Sequence, residues 1–317
     1  MVNSSPLTHR LYPVMPTPLT IEQSPDFAGL DACVRFYRDA GLGGVTVLGS
    51  GGELAYFSAV EQRQILQQVR ESAGHDLQII TGIHAFGSQQ ALEKIDALQG
   101  LADAVLVLLD TYYRVPFTEY AQALGEIASR SPIPVLLYYF PQITGQYLSA
   151  AQLIELLQLP NIIGIKDSAL HLPTARQLLR QLPDTLYFTG LSLMLKDLQP
   201  IRPCGAICPI SALAPRQALG YQQALETGDD STAGRFYLQL QRWLPVIGNP
   251  KLSGRAQDRL LTTLSRSPIP LLRSVTASQA ACKEGLRQLG LPIGVTVKSP
   301  LPPLDENARS AVQAALS

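Results

Sequence analysis

Lys166 lies near the end of residues 161–168, a short apolar run that reads as a buried strand. Burying an ammonium is costly unless it is paired or neutral. A neutral amine is a nucleophile toward carbonyls, so a lysine in such a place is a candidate for imine chemistry. The competing reading is a lysine that snorkels out at the strand end and pairs with Asp167. Imine formation and carbon–carbon cleavage both need a proton carrier. Tyrosines are at hand: Tyr112 and Tyr113 follow one apolar run, and Tyr138 and Tyr139 close another. Taken singly, a buried tyrosine serves packing with one satisfied hydroxyl. A third apolar run leads into Gly49-Ser50-Gly51-Gly52-Glu53. Three glycines let backbone approach a ligand and present N–H groups to an anion, and Ser50 adds a hydroxyl. A substrate carboxylate suits this stretch; a plain glycine turn before a helix is the alternative.

These groups can meet only if the chain brings them to one end of one sheet. Short apolar runs recur at residues 11–15, 44–48, 78–83, 104–109, 134–139, 162–166, 186–189 and 206–210. Amphipathic stretches with helical spacing lie between them. Residues 27–40 put Leu30, Val34 and Tyr37 on one face, and residues 58–72 do the same with Ile65, Leu66 and Val69. Residues 149–157 read as a helix opened by Ser149 as N-cap. Runs that are apolar throughout suit parallel strands covered on both faces. Eight strands alternating with helices predict an α/β fold of the (β/α)8 TIM-barrel type, with additional C-terminal helices. An open dinucleotide-binding sheet would need a glycine fingerprint, and the stretch from Gly49 to Leu54 lacks its third glycine. In a barrel, function gathers at the C-terminal ends of the strands, where all the residues above fall.

Residues 1–230 are expected to form the barrel and residues 231–317 a helical extension. Residues 214–227 should be the eighth barrel helix, with Pro215 near its start. Residues 231–246 and 277–289 read as further helices. Residues 248–270, rich in Gly, Pro, Ser and Arg, read as a long surface connection.

The 317-residue chain is 46% hydrophobic and only 16% charged, with a formal net charge of zero. It can bury a large core, and its charge argues against nucleic-acid and anionic-membrane partners. Residues 1–10 have no basic stretch leading into an apolar one, so no signal peptide is expected, and the apolar runs are too short to span a bilayer. A cytoplasmic protein is the expectation. Four cysteines make no disulfide framework, and Cys204 and Cys208 lack partners at zinc-site spacing; buried free thiols are expected.

Four motifs occur in order: Gly49-Ser50-Gly51-Gly52-Glu53; Tyr112-Tyr113; Tyr138 followed by Pro141, Thr144 and Gly145; and Gly164-Ile165-Lys166-Asp167-Ser168. Together they resemble the dihydrodipicolinate synthase / N-acetylneuraminate lyase family of class I aldolases, over most of the chain. Residues 281–291 and 300–303 resemble the family's C-terminal helices. The resemblance implies that Lys166 forms a Schiff base with pyruvate or another 2-oxo acid and that Tyr138 shuttles protons. It implies that Ser50 links Tyr138 to a second tyrosine, and that Gly49, Gly51 and Gly52 flank the carboxylate site. Tyr113 would complete the relay from a neighbouring subunit, in a homodimer or homotetramer. Ile207 would line the pyruvate pocket. The partners implied are a small 2-oxo acid and an aldehyde. No metal or organic cofactor is implied, because the protonated imine is itself the electron sink.

The chain departs from the pattern where a second substrate would bind. The synthases carry an arginine where this chain has Ile143, and without a guanidinium a carboxylate there loses its bidentate grip. The sialic acid lyases carry an acidic pair where this chain reads Gly190-Leu191-Ser192-Leu193, which disfavours a polyhydroxylated substrate. The family's threonine or serine after Ser50 is Gly51. Tyr139, Phe140, Ile143 and Leu191 are expected to make an apolar pocket for a small or hydrophobic aldehyde. His84 either lines this pocket or is structural. Residues 248–278 exceed the family norm and suggest no role. Alternatives through the same imine are a 2-oxo sugar acid dehydratase and a 4-hydroxy-tetrahydrodipicolinate synthase. An alternative of another class is a non-catalytic 2-oxo acid binding or regulatory barrel.

Overall fold

The computed structural model describes residues 7–271 and 278–317. Seven parallel strands lie in chain order: β1 (Gly44–Val47), β2 (Gln78–Ala85), β3 (Ala104–Leu109), β4 (Val135–Tyr139), β5 (Ile162–Asp167), β6 (Leu186–Thr189) and β7 (Gly205–Ala206). The sheet curls until its two edges meet through residues 10–15. On one side Tyr12 N–H donates to the Ala206 carbonyl at 3.0 Å, and Ala206 N–H donates to Arg10 at 2.8 Å. On the other, Met15 N–H donates to Thr46 at 2.9 Å, and Thr46 N–H donates to Pro13 at 2.8 Å. The strand expected at residues 11–15 therefore closes the barrel, but as isolated bridges, Leu11 with Ala206 and Val14 with Thr46. Pro13 and Pro16 bring no N–H, which interrupts a continuous ladder.

Strand alternation divides the core in two. Tyr12, Val14, Ile80, Leu106, Leu108, Leu136, Tyr138, Phe188 and Ile207 fill the barrel interior. Val45, Val47, Ile79, Ile83, Val105, Val107, Leu137 and Ile165 face the helices. Both faces are apolar, which is why the strand runs show no polar alternation. The helices start where their caps say they should. Ser58 with Glu61, and Ser149 with Gln152, form reciprocal capping boxes at the helices Ala59–Ala73 and Ala150–Leu157. Pro215–Thr227 is the expected eighth barrel helix.

Three expectations need correction. The run at 206–210 is not one strand: β7 ends at Ala206, and Pro209–Leu213 is helical. An apolar run alone does not separate strand from helix, but Pro209 at the first helical position was the signal. Residues 231–246 form two helices, Asp230–Gln241 and Leu244–Ile247, because Pro245 cannot donate back along a continuous helix. Residues 248–270 are more than a connection. They contain the helix Gly254–Leu264, capped by the Ser253 hydroxyl. Its Asp258 accepts from Tyr237 Oη at 2.5 Å and Gln241 Nε2 at 2.9 Å, docking it on Asp230–Gln241. Leu172 N–H then donates to the Ser265 carbonyl at 2.9 Å, tying the segment to the barrel. Beyond Leu271 the segment leaves the described residues until Ser278.

The helix expected at 277–289 is Gln279–Gln288, with Ala277 outside the described residues. A last helix, Glu306–Leu316, was not singled out in the sequence. Cys33, Cys204, Cys208 and Cys282 are free and buried, as expected. Among the described residues no helix is long and apolar enough to cross a membrane.

Candidate active site

Parallel register puts Tyr138 of β4 opposite Lys166 of β5. Both belong to the inward parity of the barrel. Lys166 is 4% exposed, and its Nζ lies 4.1 Å from the centroid of the Tyr138 ring. The Tyr138 hydroxyl in turn lies 3.1 Å from Ser50 Oγ. The amine thus lies over the ring of the phenol whose hydroxyl meets Ser50, inside a largely apolar barrel. Asp167 faces the opposite way, as the next residue of a strand must. It accepts from Tyr187 Oη at 2.7 Å and from Ala169 N–H at 2.9 Å. Burial pushes its carboxyl up to about 6, against the pull of those two hydrogen bonds. The pairing of Lys166 with Asp167 considered from the sequence is therefore not made. Among the described residues no carboxylate lies within ion-pairing distance of Lys166.

The glycine stretch after β1 is a tight 3-10 turn over Ser50–Gly52. The Gly49 carbonyl takes the N–H groups of Gly52 at 2.9 Å and Leu54 at 3.4 Å, and the Gly52 carbonyl takes Thr17 Oγ1 at 2.8 Å. Among the described residues nothing accepts from the N–H groups of Ser50 and Gly51. These two donors are what the turn leaves for an anion. A Cβ on Gly51 would stand 3.0 Å from Val14 Cγ1, so glycine lets the turn press against the barrel wall.

The turn ends on Glu53, a non-glycine residue at φ 64°. Such a conformation needs support from its surroundings. Glu53 has it: Lys283 Nζ lies 2.5 Å from Oε1, and Lys298 N–H donates to Oε2 at 2.7 Å. Gln279 Nε2 also donates to the Ser50 carbonyl at 3.2 Å. The C-terminal helix Gln279–Gln288 thereby clamps the turn, and neither Gln279 nor Lys283 was singled out from the sequence. Lys283 is 0% exposed, so burial alone does not distinguish Lys166. The difference is the partner. Burial pulls the Lys283 ammonium below its usual range, and the Glu53 carboxylate opposes this. Among the described residues Lys166 has a ring face and no carboxylate beside it.

The remaining expected residues divide. Ile207 is fully buried in the barrel interior. Gly190 uses its own N–H on the Asp167 carbonyl at 2.8 Å, and a Cβ there would meet Ser168 Oγ at 2.6 Å; what it offers is room rather than a donor. Ile143 is 44% exposed on the short turn Pro141–Thr144. Tyr112 and Tyr113 are exposed and stand edge to face 4.9 Å apart. Among the described residues Tyr113 bonds to neither Ser50 nor Tyr138 of its own chain.

The expected apolar pocket needs revision. Tyr139 faces the helices, where its hydroxyl donates to the Leu148 carbonyl at 3.3 Å and accepts from Leu148 N–H at 3.0 Å. Leu191 packs in the same outer core, beside Leu193 and Met194. Strand parity excludes Tyr139 once Tyr138 faces inward. Phe140 stays on the inner side, stacked on Tyr138 at 5.7 Å and 26°. His84 faces inward at the end of β2, with Nε2 3.2 Å from Asp110 Oδ2.

Known proteins share this architecture. The model of the dihydrodipicolinate synthetase family matches residues 7–250. The 4-hydroxy-tetrahydrodipicolinate synthase of Moorella thermoacetica is 25% identical over 311 residues, 97% of either chain. Among solved structures, YagE, a prophage protein of the dihydrodipicolinic acid synthase family from E. coli K12 in complex with pyruvate, superposes with a TM-score of 0.82 at 24% identity, covering 98% of both chains. N-acetylneuraminate lyase from Mycoplasma synoviae superposes with a TM-score of 0.75 at 22% identity over 96% of both. With the family model spanning the barrel and the motifs in register around Lys166, the chain belongs to the dihydrodipicolinate synthetase / N-acetylneuraminate lyase family of class I lyases.

Proposed function

We infer that Lys166 is the Schiff-base lysine of a pyruvate-dependent lyase that makes or breaks a carbon–carbon bond to an aldehyde. The observation that carries this is a buried amine with no carboxylate partner among the described residues, lying over the ring of Tyr138, whose hydroxyl contacts Ser50. In the synthetic direction the amine adds to the keto carbon, and loss of water leaves a protonated imine. The imine withdraws electrons, so a methyl proton leaves and an enamine forms. The enamine carbon attacks the aldehyde carbon, and the aldehyde oxygen takes a proton. Water then releases the product and restores the amine. Tyr138 is the proton carrier, and Ser50 fixes the direction of its hydroxyl. The N–H groups of Ser50 and Gly51 receive the substrate carboxylate, as unpartnered backbone donors do.

The second substrate is a small aldehyde with a largely apolar body. Phe140 and Ile143 support this. The absence of a guanidinium at Ile143 speaks against aspartate semialdehyde, although some relatives are named for that chemistry. Leu191 turns outward and no acidic pair follows Gly190, which speaks against long polyols. Tyr113, 77% exposed in its own chain, is assigned to the relay of a neighbouring copy. An enzyme that is monomeric at assay concentration and fully active would remove that assignment.

The direct test is to incubate the protein with pyruvate, add borohydride and weigh it. The expected result is one pyruvyl adduct, mapped to Lys166 and absent from Lys166→Ala. An unmodified wild-type chain would show the reading of Lys166 to be wrong.

A further inference from the structure

The geometry points to the His84–Asp110 pair as the group that recognises a hydroxyl on the aldehyde partner, a role that rests on the Lys166 imine reading. His84 lies on β2 between Ile83 and Ala85, both in the outer core, while Ile80 belongs to the barrel interior. Alternation therefore turns His84 inward. Register places it in a row with the catalytic groups. His84 pairs with Leu108 on β3, Val107 pairs with Leu137 on β4, and Tyr138 pairs with Lys166 on β5. Leu108 is thus level with Tyr138, and His84, Tyr138 and Lys166 share one inward row.

This row ends at the rim rather than in the core: the His84 side chain is 22% exposed and that of Asp110 18%. The pair is firmly held. Asp110 Oδ1 accepts from Thr111 N–H at 2.8 Å, and Asp110 Oδ2 faces His84 Nε2. Lys94 Nζ donates to the His84 carbonyl at 2.6 Å, and the Phe86 ring meets the imidazole edge to face at 5.0 Å. A neutral imidazole facing the Asp110 carboxylate carries its proton on Nε2. Nδ1 is then an acceptor, and it has no partner among the described residues. An oriented acceptor in the same row as the amine suits a hydroxyl donor. It does not suit a carboxylate, which would set lone pair against lone pair beside the Asp110 charge. With Phe140 and Ile143 as the apolar remainder, the aldehyde class is a short hydroxyaldehyde carrying a single polar handle.

The test pairs two aldehydes that differ by one hydroxyl, lactaldehyde and propanal, each with pyruvate. Wild type, His84→Ala and Asp110→Asn are assayed, after the borohydride adduct on Lys166 has been measured in each. The wild type should favour lactaldehyde. In both variants the ratio of kcat/KM for lactaldehyde to that for propanal should fall about 3–10-fold, the worth of one neutral hydrogen bond, mainly through KM. A merely structural histidine would lower both aldehydes together and leave the ratio unchanged, which overturns the inference. So would a wild type that carries the adduct yet shows no preference for lactaldehyde, or uses neither aldehyde. Failure of the adduct itself in wild type would strike the imine reading instead, and the two failures are therefore separable.

Discussion

Lys283→Met should destabilise the protein and loosen the Ser50–Gly52 turn, the proposed carboxylate site, at once. Both Glu53 and Lys283 have fully buried side chains, and the pair spans the glycine turn and the C-terminal helix. Removing the cation leaves a buried carboxylate with the Lys298 N–H as its remaining donor. Breaking one side of a buried pair costs about 3–5 kcal/mol. The unfolding entropy of a 317-residue chain, at about 2.1 cal/mol/K per residue, is about 0.7 kcal/mol/K near the melting point. The melting temperature should therefore fall by about 4–8 °C. Replacing both charges, in Glu53→Gln with Lys283→Met, removes the uncompensated anion and should recover most of that loss. It should not recover all of it, because Lys283 Nζ also donates to the Thr296 carbonyl at 2.6 Å. A double-mutant cycle by thermal unfolding should give a coupling of about 2–4 kcal/mol. Pyruvate KM should stay raised in the double variant, since the turn presenting Ser50 and Gly51 has lost its anchor. A single variant melting within about 1 °C of wild type, or a double variant damaged as much as the two singles summed, would refute the reasoning.

Two further outcomes follow from the same geometry. Tyr138→Phe should still give the borohydride adduct but slow exchange of pyruvate methyl protons with solvent by ~10²–10⁴-fold, and undiminished exchange would remove Tyr138 as proton carrier. Asp167 titrates near 6 in the fold because burial disfavours its charge, well above the ordinary carboxylate value near 4. A carboxyl raised on folding stabilises the fold when protonated; that contribution is complete below about pH 4 and is lost as the pH rises through about 6. Asp167→Asn stays neutral throughout, so its stability relative to wild type should grow from near zero at pH 4 to about 3 kcal/mol at pH 8. A gap independent of pH in denaturant titrations would show that Asp167 is ionised in the fold at every pH tested.

What the sequence made legible was local or periodic. The β runs at 104–109 and 186–189 coincide with β3 and β6, because a strand buried on both faces is written as an unbroken apolar run. That Ser50, Tyr138 and Lys166 lie together was legible because each falls near a strand end, and a barrel gathers strand ends. What escaped was set by distant parts of the chain. Glu53 and Lys283 are 230 positions apart, and nothing near Lys283 announces its carboxylate. The helix Gly254–Leu264 was hidden because its stretch is rich in the Gly, Pro, Ser and Arg of a loop, although Leu260, Leu261 and Leu264 carry a helical spacing. The misplaced pocket residue Tyr139 was avoidable. Tyr138 and Tyr139 are neighbours on one strand, so only one of them can face the amine.

The two buried lysines show why position alone was an insufficient argument for chemistry. Lys283 is the more deeply buried, yet its ammonium is tied to Glu53 and to the Thr296 carbonyl, so both its charge and its donors are spent on structure. Lys166 is buried with a different set of neighbours: a tyrosine ring beneath it, a hydroxyl beyond the ring, and no carboxylate among the described residues, which is what supports the proposed imine role. The structural lysine also supports the surroundings of Lys166. By holding Glu53 in a left-handed conformation it fixes the turn that places Ser50 against Tyr138 and leaves the Ser50 and Gly51 N–H groups without acceptors among the described residues. The C-terminal helix is therefore part of the site at one remove. A change at residue 283 reaches the amine through Glu53, the turn that Glu53 ends, Ser50 and Tyr138.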